Sequence, residues 1–199
     1  MTLLLSRGRA LLLVISLFLP IPKLSPALLC PSSAQAETAT LQDIIVTNSK
    51  TDLLLYFNVA NCFTPAMEEG IHNGIPAIFT FYVHLDQIKK GWFDHQDATH
   101  TFQHILTHDN LREEYQVEFS EKPGNKIHTQ SFAEAKRLMA EISGFRVIPL
   151  KRLTNDALYR LSAKAKLARI TLPLYFHYLV PFISLWDFET DWHTVEFRY

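Results

Sequence analysis

Alternating apolar and polar positions run through most of the chain, and the longest regular example is residues 75–88. A period of two is typical of a β-strand that turns one face to a core and the other toward water. This segment therefore predicts a central strand of a β-rich domain. Its apolar positions are Ile75, Ala77, Phe79, Phe81, Val83 and Leu85, and the positions between them include Thr80, Tyr82, His84 and Asp86.

Further segments with the same period predict more strands on both sides of this one. The first two are short, lie on either side of a polar turn at Asn48, Ser49 and Lys50, and should pair as an antiparallel hairpin. Small inner residues such as Ala163 and Ala165 characterise one of the later strands. The predicted ranges are 43–49, 53–59, 115–119, 127–129, 145–150, 159–167 and 186–199.

Two short helices are predicted between the strands. The first begins after Thr64, a good N-cap, has Pro65 at the favoured first position and ends at Asn73 and Gly74. The second spans residues 131–143. There, Ser131 and Glu134 form a capping box, a stripe of apolar residues follows, and Gly144 ends the helix.

Residues 98–109 fit either a strand or a helix. Both geometries place His100, His104 and His108 on one face. The threonines at positions 99, 101 and 107 favour a strand.

The apolar segment from Leu172 to Leu185 contains Pro173 and Pro181, which exclude one continuous helix or a central strand. We expect a loop that crosses an open end of the sheets. The whole pattern predicts a mainly β protein, an antiparallel β-sandwich of about eight strands with two short helices plugging its ends. A half-open β-barrel is the alternative.

The N-terminal segment has the features of a secretory signal peptide. A basic start at Arg7 and Arg9 precedes a ten-residue stretch, 10–19, that is apolar except for Ser16, and Ala34 and Ala36 supply a small-residue cleavage site. We expect residues 1–36 to be removed, or else to stay as a membrane anchor, and residues 37–199 to form a single β-rich domain. The protein would then be exported and periplasmic or envelope-associated.

Charge argues against nucleic acid as a partner. Residues 1–36 hold three of the 19 basic residues and no acid, so the remaining domain has 16 basic and 20 acidic residues and a charge of −4 with neutral histidine. A mildly acidic domain lacks the electrostatic footprint that binding to phosphates requires.

Metal binding is one chemistry that the histidines suggest. Imidazoles are common zinc and copper ligands, and His100, His104 and His108 lie close together with aspartates beside them. On a strand, however, residues four apart are separated by about 13 Å, too far to share one ion. The more ordinary interpretation is a row of polar strand positions, and no cofactor is predicted.

Other candidate groups favour structural roles. Cys62 is alone in the domain and is expected to be a small buried thiol. The acid pairs, such as Glu68 with Glu69, lie in capping turns or on alternating strands. No nucleophile elbow, phosphate-binding loop or dinucleotide motif is present in the sequence. These features predict a protein without enzymatic activity.

The aromatic residues are the remaining functional signal. Most should be core, but those that are exposed would form an apolar surface for a partner. The predicted interaction surface consists of Trp92, Phe93, Tyr175, Phe176 and Phe182. We expect an accessory module that binds an envelope or membrane protein. An uncleaved N-terminal segment would add a membrane contact. The alternatives are a lipid-binding or small-molecule-binding sandwich with the segment from Leu172 to Leu185 as its lid, and a metal-binding protein.

A set of short motifs resembles one protein family. It includes Glu68-x-Gly70-x-x-x-Gly74-Ile75-Pro76 before the long strand, Trp92-Phe93-Asp94 after it, Leu106-Thr107, the helix over 131–142, Leu172-Pro173, and Trp186-x-Phe188-x-Thr190-x-Trp192. Over about residues 40–198 the chain is similar to the uncharacterised bacterial envelope family catalogued as domain of unknown function 4390. The resemblance implies an exported bacterial protein without an assigned activity, sometimes encoded beside a membrane histidine kinase. It implies no catalytic residues.

Overall fold

The computed structural model describes residues 38–89, 91, 94–167 and 188–199. Nine strands, two α-helices and one 3-10 helix occur in this part of the chain. The strands are β1 Thr40–Asn48, β2 Asp52–Ala60, β3 Ala77–Gln87, β4 His95–Asp109, β5 Glu114–Phe119, β6 Lys126–Thr129, β7 Glu141–Pro149, β8 Leu158–Leu167 and β9 His193–Arg198. The helices are α1 Pro65–His72 and α2 Phe132–Ala140, and the 3-10 helix is Leu150–Arg152.

The strands form two antiparallel sheets. The smaller sheet has the order β1-β2-β7, and the larger has the order β6-β5-β4-β3-β8-β9. The strand predicted to be central is β3, which pairs with β4 on one side and β8 on the other. Within the described strands neither sheet closes on itself, so the predicted mainly β, sandwich-like fold is confirmed, with one strand more than expected.

Side chains from both sheets fill the space between them. The apolar face of β3 is completely buried, as its alternation predicts. Ring centroids lie 5.9 Å apart for Phe57 and Phe81, 5.2 Å for Phe81 and Phe102, and 4.3 Å for Phe102 and Phe145. Phe57 and Phe145 belong to the smaller sheet and the other two to the larger. A ligand between the sheets would have to displace these rings.

The two helices lie against the inner face of the larger sheet and begin as predicted. The Thr64 hydroxyl accepts a hydrogen bond from the Met67 N–H at 3.3 Å, and the Ser131 hydroxyl accepts one from the Glu134 N–H at 3.3 Å. Each N-cap satisfies a backbone donor that the helix itself cannot. Both α1 and α2 contact β4, and α2 also contacts β5. No helix in the described ranges has the length and apolarity needed to cross a membrane.

The predicted end of the second helix is wrong. The helix stops at Ala140, because Glu141 is already extended and residues from Glu141 onward pair with β2. Ile142, predicted to be on the helical stripe, is buried in β7 opposite Phe57. Strand pairing here outweighs the local helical pattern.

The predicted strand over residues 186–199 is also too long. Within its described part, regular pairing starts at His193, and Glu189 before it makes a single bridge to Lys166. Thr190 is buried, and its hydroxyl accepts a hydrogen bond from the Ala165 N–H at 3.0 Å.

Candidate functional site

Three of the four histidines of β4, His100, His104 and His108, lie on the inner face of the sheet, but each contacts a different element. His100 Nε2 donates to the Val147 carbonyl oxygen of β7 at 2.6 Å. His104 contacts α2, and His108 Nδ1 donates to the His72 carbonyl oxygen at the end of α1 at 3.0 Å. The preference for a strand over residues 98–109 is confirmed. The three rings tie β4 to its separate neighbours.

Buried His104 and partly buried Glu121 form a hydrogen-bonded pair. The ring of His104 is 1% exposed, and its Nδ1 donates to the Met139 carbonyl oxygen at 3.1 Å. A carbonyl oxygen only accepts, so Nδ1 must carry hydrogen. The other nitrogen, Nε2, lies 3.2 Å from Glu121 Oε1. That contact requires a proton of its own, either on the imidazole or on the carboxyl.

The charge state of this pair follows from the surroundings of Glu121. Burial raises the pKa of the Glu121 carboxyl. Hydrogen bonds from His104 and from the Glu121 backbone, together with the charges of His104 and Lys122, lower it further than burial raises it. The lowered pKa favours the ionised carboxylate, which accepts the hydrogen bond from His104 Nε2. Glu121 Oε2 is buried without a hydrogen-bond partner among the described residues.

A cleft of about 250 Å³ adjoins this pair. Its charged lining residues include Lys122, Arg137 and Glu141. Arg137 and Glu141 are four residues apart and already paired at 2.9 Å. Because both ring nitrogens of His104 are occupied, the ring has no free lone pair for an activated nucleophile or a metal, and the pair acts as a tie between β4, α2 and the turn after β5.

The other candidate groups have local partners. In the part of the chain that the structure describes, no cluster of three or more His, Cys, Asp or Glu side chains could hold a metal ion. The Cys62 thiol is buried and donates to the Val59 carbonyl oxygen at 3.2 Å, and burial raises its pKa to about 12. Glu68 of the first acid pair contacts Lys136 at 2.6 Å.

The described residues on either side of 168–187 lie side by side on the larger sheet. The Leu167 N–H donates to the Phe188 carbonyl oxygen at 3.0 Å, and the Thr190 N–H donates to the Ala165 carbonyl oxygen at 3.0 Å. Glu189 accepts from Lys164 and, at 2.8 Å, from Lys166. These hydrogen bonds lower the pKa of Glu189 to about 2. The two flanking stretches, 164–167 and 188–190, are therefore held together by backbone and side-chain contacts.

The family to which the chain belongs follows from a comparison with protein-family models. The model described as Domain of unknown function (DUF4390) matches residues 36–196. The chain belongs to this family. The resemblance inferred from the motifs is thereby confirmed. No curated protein and no solved structure gave a significant match.

The predicted interaction surface of this DUF4390 domain falls outside the described residues. This holds for all five of its members, Trp92, Phe93, Tyr175, Phe176 and Phe182. After residues 168–187, the first described aromatic residues are Phe188 and Trp192. Trp192 is 44% exposed, and its ring centroid lies 4.8 Å from that of His84 and 5.4 Å from Lys164 Nζ.

Sequence reasoning missed Glu121, the partner of His104 in this DUF4390 domain. The two residues are 17 positions apart, and Glu121 lies in a turn next to Lys122, where an acid normally faces water. No periodic signal separates it from an ordinary turn residue. Only the pairing of β4 with β5, which sets Phe119 opposite His104, brings the carboxylate to the ring.

Proposed function

We propose that this DUF4390 protein is an exported, non-enzymatic domain that binds a protein partner in the cell envelope. The main support is the pairing of the described residues on either side of 168–187. Backbone hydrogen bonds at Leu167 and Thr190 and the contacts of Glu189 with two lysines hold these flanking residues together. A rigid scaffold that positions a binding segment is a common design of binding proteins.

The sequence of that segment suits contact with a protein. Among its twenty residues only Arg169 and Asp187 carry a formal charge, whereas Tyr175, Phe176 and Phe182 are aromatic. Buried interface centres are depleted in charge and enriched in aromatic residues. The predicted signal peptide supports a partner outside the cytoplasm. Membrane sensor kinases, which are sometimes encoded beside members of this family, are the first partners to test.

The structure offers a matched test of this proposal. Affinity-tagged protein is compared with the variant Tyr175→Ser/Phe176→Ser/Phe182→Ser in detergent-solubilised envelope extract. The control is Leu111→Ser, which alters an apolar side chain that is 97% exposed elsewhere on the domain. We expect one stoichiometric partner with the wild type and the control, and its loss with the triple variant. No partner at any salt concentration, or the same partner with all three proteins, would contradict the proposal.

A further inference from the structure

Part of the β4 edge has no neighbouring strand among the described residues. β4 is 15 residues long and pairs with β3 from His95 to Leu106. On its other side β5 is only six residues long and pairs with β4 from His104 onward. After Phe119 the chain turns away, so that the edge over residues 95–102 is open on the β5 side.

The backbone groups on this open edge can be assigned from the alternation of an antiparallel strand. The Gln103 N–H donates to the Ser120 hydroxyl at 2.7 Å, and the Gln103 carbonyl oxygen accepts from the Ser120 N–H at 2.9 Å. Both groups of Gln103 therefore point toward β5. In a regular strand every second residue points the same way, so Thr101 and Thr99 present their N–H and C=O groups to the same side. Both threonines are exposed.

The open edge has a bulge at Asp97, but its regular part, residues 98–102, lacks the features that protect edge strands. Natural edges are shielded by lysine, proline, bulges or short length. In this protein β6 is four residues long with Lys126 at its start, and β1 has a bulge at Asp43, whose φ is 53°. Residues 98–102 have neither lysine nor proline, and their pairing with β3 is regular. Nothing in this stretch prevents a further strand from pairing.

A cleft of about 490 Å³ lies beside this edge, between β4 and β7. The hydrogen bond from His100 to the Val147 carbonyl oxygen joins the two strands across it. Arg146 and Arg152 line the cleft, and neither has an ion-pair partner within the described ranges. An unpaired arginine at the rim of a groove favours an acidic partner and can bind a carboxylate with two hydrogen bonds.

The two acids of the cleft have local contacts of their own. Asp97 Oδ1 lies 3.7 Å from His95 Nε2, and Asp52 accepts from the Thr51 hydroxyl at 2.7 Å. Neither forms an ion pair with Arg146 or Arg152 among the described residues, so both guanidinium groups remain for carboxylates of an incoming segment.

We propose that an extended acidic segment of a protein partner adds to the β4 edge as a strand. It would pair with the backbone of Thr99 and Thr101 in line with β5, and its carboxylates would bind Arg146 and Arg152. Main-chain hydrogen bonds supply the affinity in this mode of recognition, and side chains supply the specificity. The inference rests on the proposed function of the domain, and it names the chemistry of one contact.

Defined peptides test this inference on the full-length protein. The probe is a fluorescent ten-residue peptide of alternating glutamate and threonine, followed by fluorescence anisotropy. One control peptide replaces glutamate by lysine, and a second has the same sequence with N-methylated backbone amides, which cannot pair as a strand. We expect saturable binding of the glutamate peptide and at least about tenfold weaker binding of both controls.

Protein variants separate an effect of charge on peptide binding from a loss of the fold. Arg146→Glu/Arg152→Glu should weaken binding of the glutamate peptide by at least about tenfold. The control is Arg112→Glu, at a position beyond the far end of β4, and it should leave binding of the glutamate peptide unchanged. Circular dichroism and the melting temperature identify any variant that has lost its fold. If Arg146→Glu/Arg152→Glu unfolds, the two control peptides on the wild-type protein still decide the outcome.

Several results would overturn the inference. These are no binding of the glutamate peptide, equal binding of the lysine or N-methylated peptide, and a homodimer whose formation competes with the peptide. The last result would make a second copy of this chain the occupant. Capture of the partner through residues 168–187 would be unaffected by each of these results, so a failure here is distinguishable from a failure of the proposed function.

Discussion

The pairing of His104 with Glu121 shows how one buried residue joins three elements. His104 sits on β4, donates to the end of α2 and contacts the carboxylate of the turn after β5. Its ring also packs edge-on against Phe81 and Phe119. A charged pair inside a domain contributes little net stability, but removing one member leaves the other uncompensated.

We therefore expect His104→Ala to destabilise the domain by about 3–5 kcal/mol, measured by urea unfolding. Glu121→Ala should also destabilise it, because the Nε2 donor loses its partner. The double variant His104→Ala/Glu121→Ala should lose less than the sum of the two single variants, since neither group is then left alone. His108→Ala, on the same face but partly exposed, is the control and should cost about 1 kcal/mol or less. Strictly additive losses would contradict the pairing.

At the scale of elements, β7 begins earlier than predicted and contains Gly144 near its start. The residue was predicted to end a helix, but it lies inside the strand with φ 69° and opposite the bulge around Tyr56. A Cβ at this position would lie 3.4 Å from Tyr56 Oη. The prediction that Gly144 ends a helix is therefore wrong, because the residue lies inside a strand. Its position depends on pairing with β2, which begins about 90 positions earlier and leaves no local signal.

Gly144→Ala should destabilise the domain by about 1–2 kcal/mol through its backbone conformation alone. Gly124→Ala is a matched control, because Gly124 has φ 81° and its added Cβ would meet nothing within 4 Å. The excess loss at Gly144 measures the contact with Tyr56, and Tyr56→Phe in the Gly144→Ala background should recover part of it. A loss at Gly144 no greater than at Gly124 would show that Tyr56 does not crowd the position.

The stability that Glu189 adds beside residues 168–187 should decrease at low pH. The pKa of Glu189 is lowered to about 2 by hydrogen bonds from Lys164 and Lys166. A carboxyl whose pKa is lower in the folded than in the unfolded state adds stability above its unfolded pKa, about 4.5, and loses that contribution as the pH falls toward 2. Glu121, whose pKa is also lowered, acts in the same direction.

Melting temperatures from pH 6 to pH 2.5 test this dependence. Glu189→Gln should lower the melting temperature at pH 6 and reduce the fall between pH 4.5 and pH 2.5. The control Glu113→Gln removes an acid in an exposed turn and should keep the full dependence. An unchanged acid dependence in Glu189→Gln would show that its contacts with the lysines do not stabilise the sheet.

At the scale of the molecule, the sandwich was predictable because several of its strands alternate strictly. β2, β5 and β8 bury every second residue, and that period carries the fold class and much of the core. The partition into sheets of three and six strands was not predictable, because β2 pairs with β7 across more than 80 residues. The open edge of β4 likewise depends on how short β5 is compared with its neighbour.

We expect residues 168–187 to contact the partner, and site-specific crosslinking in intact cells tests that expectation directly. A photo-reactive phenylalanine analogue replaces Tyr175 or Phe182, and a third version of the protein has it at Leu111. We predict a discrete adduct with one envelope protein from positions 175 and 182 and none from position 111. No adduct from positions 175 and 182, or the same adduct from all three positions, would contradict the account.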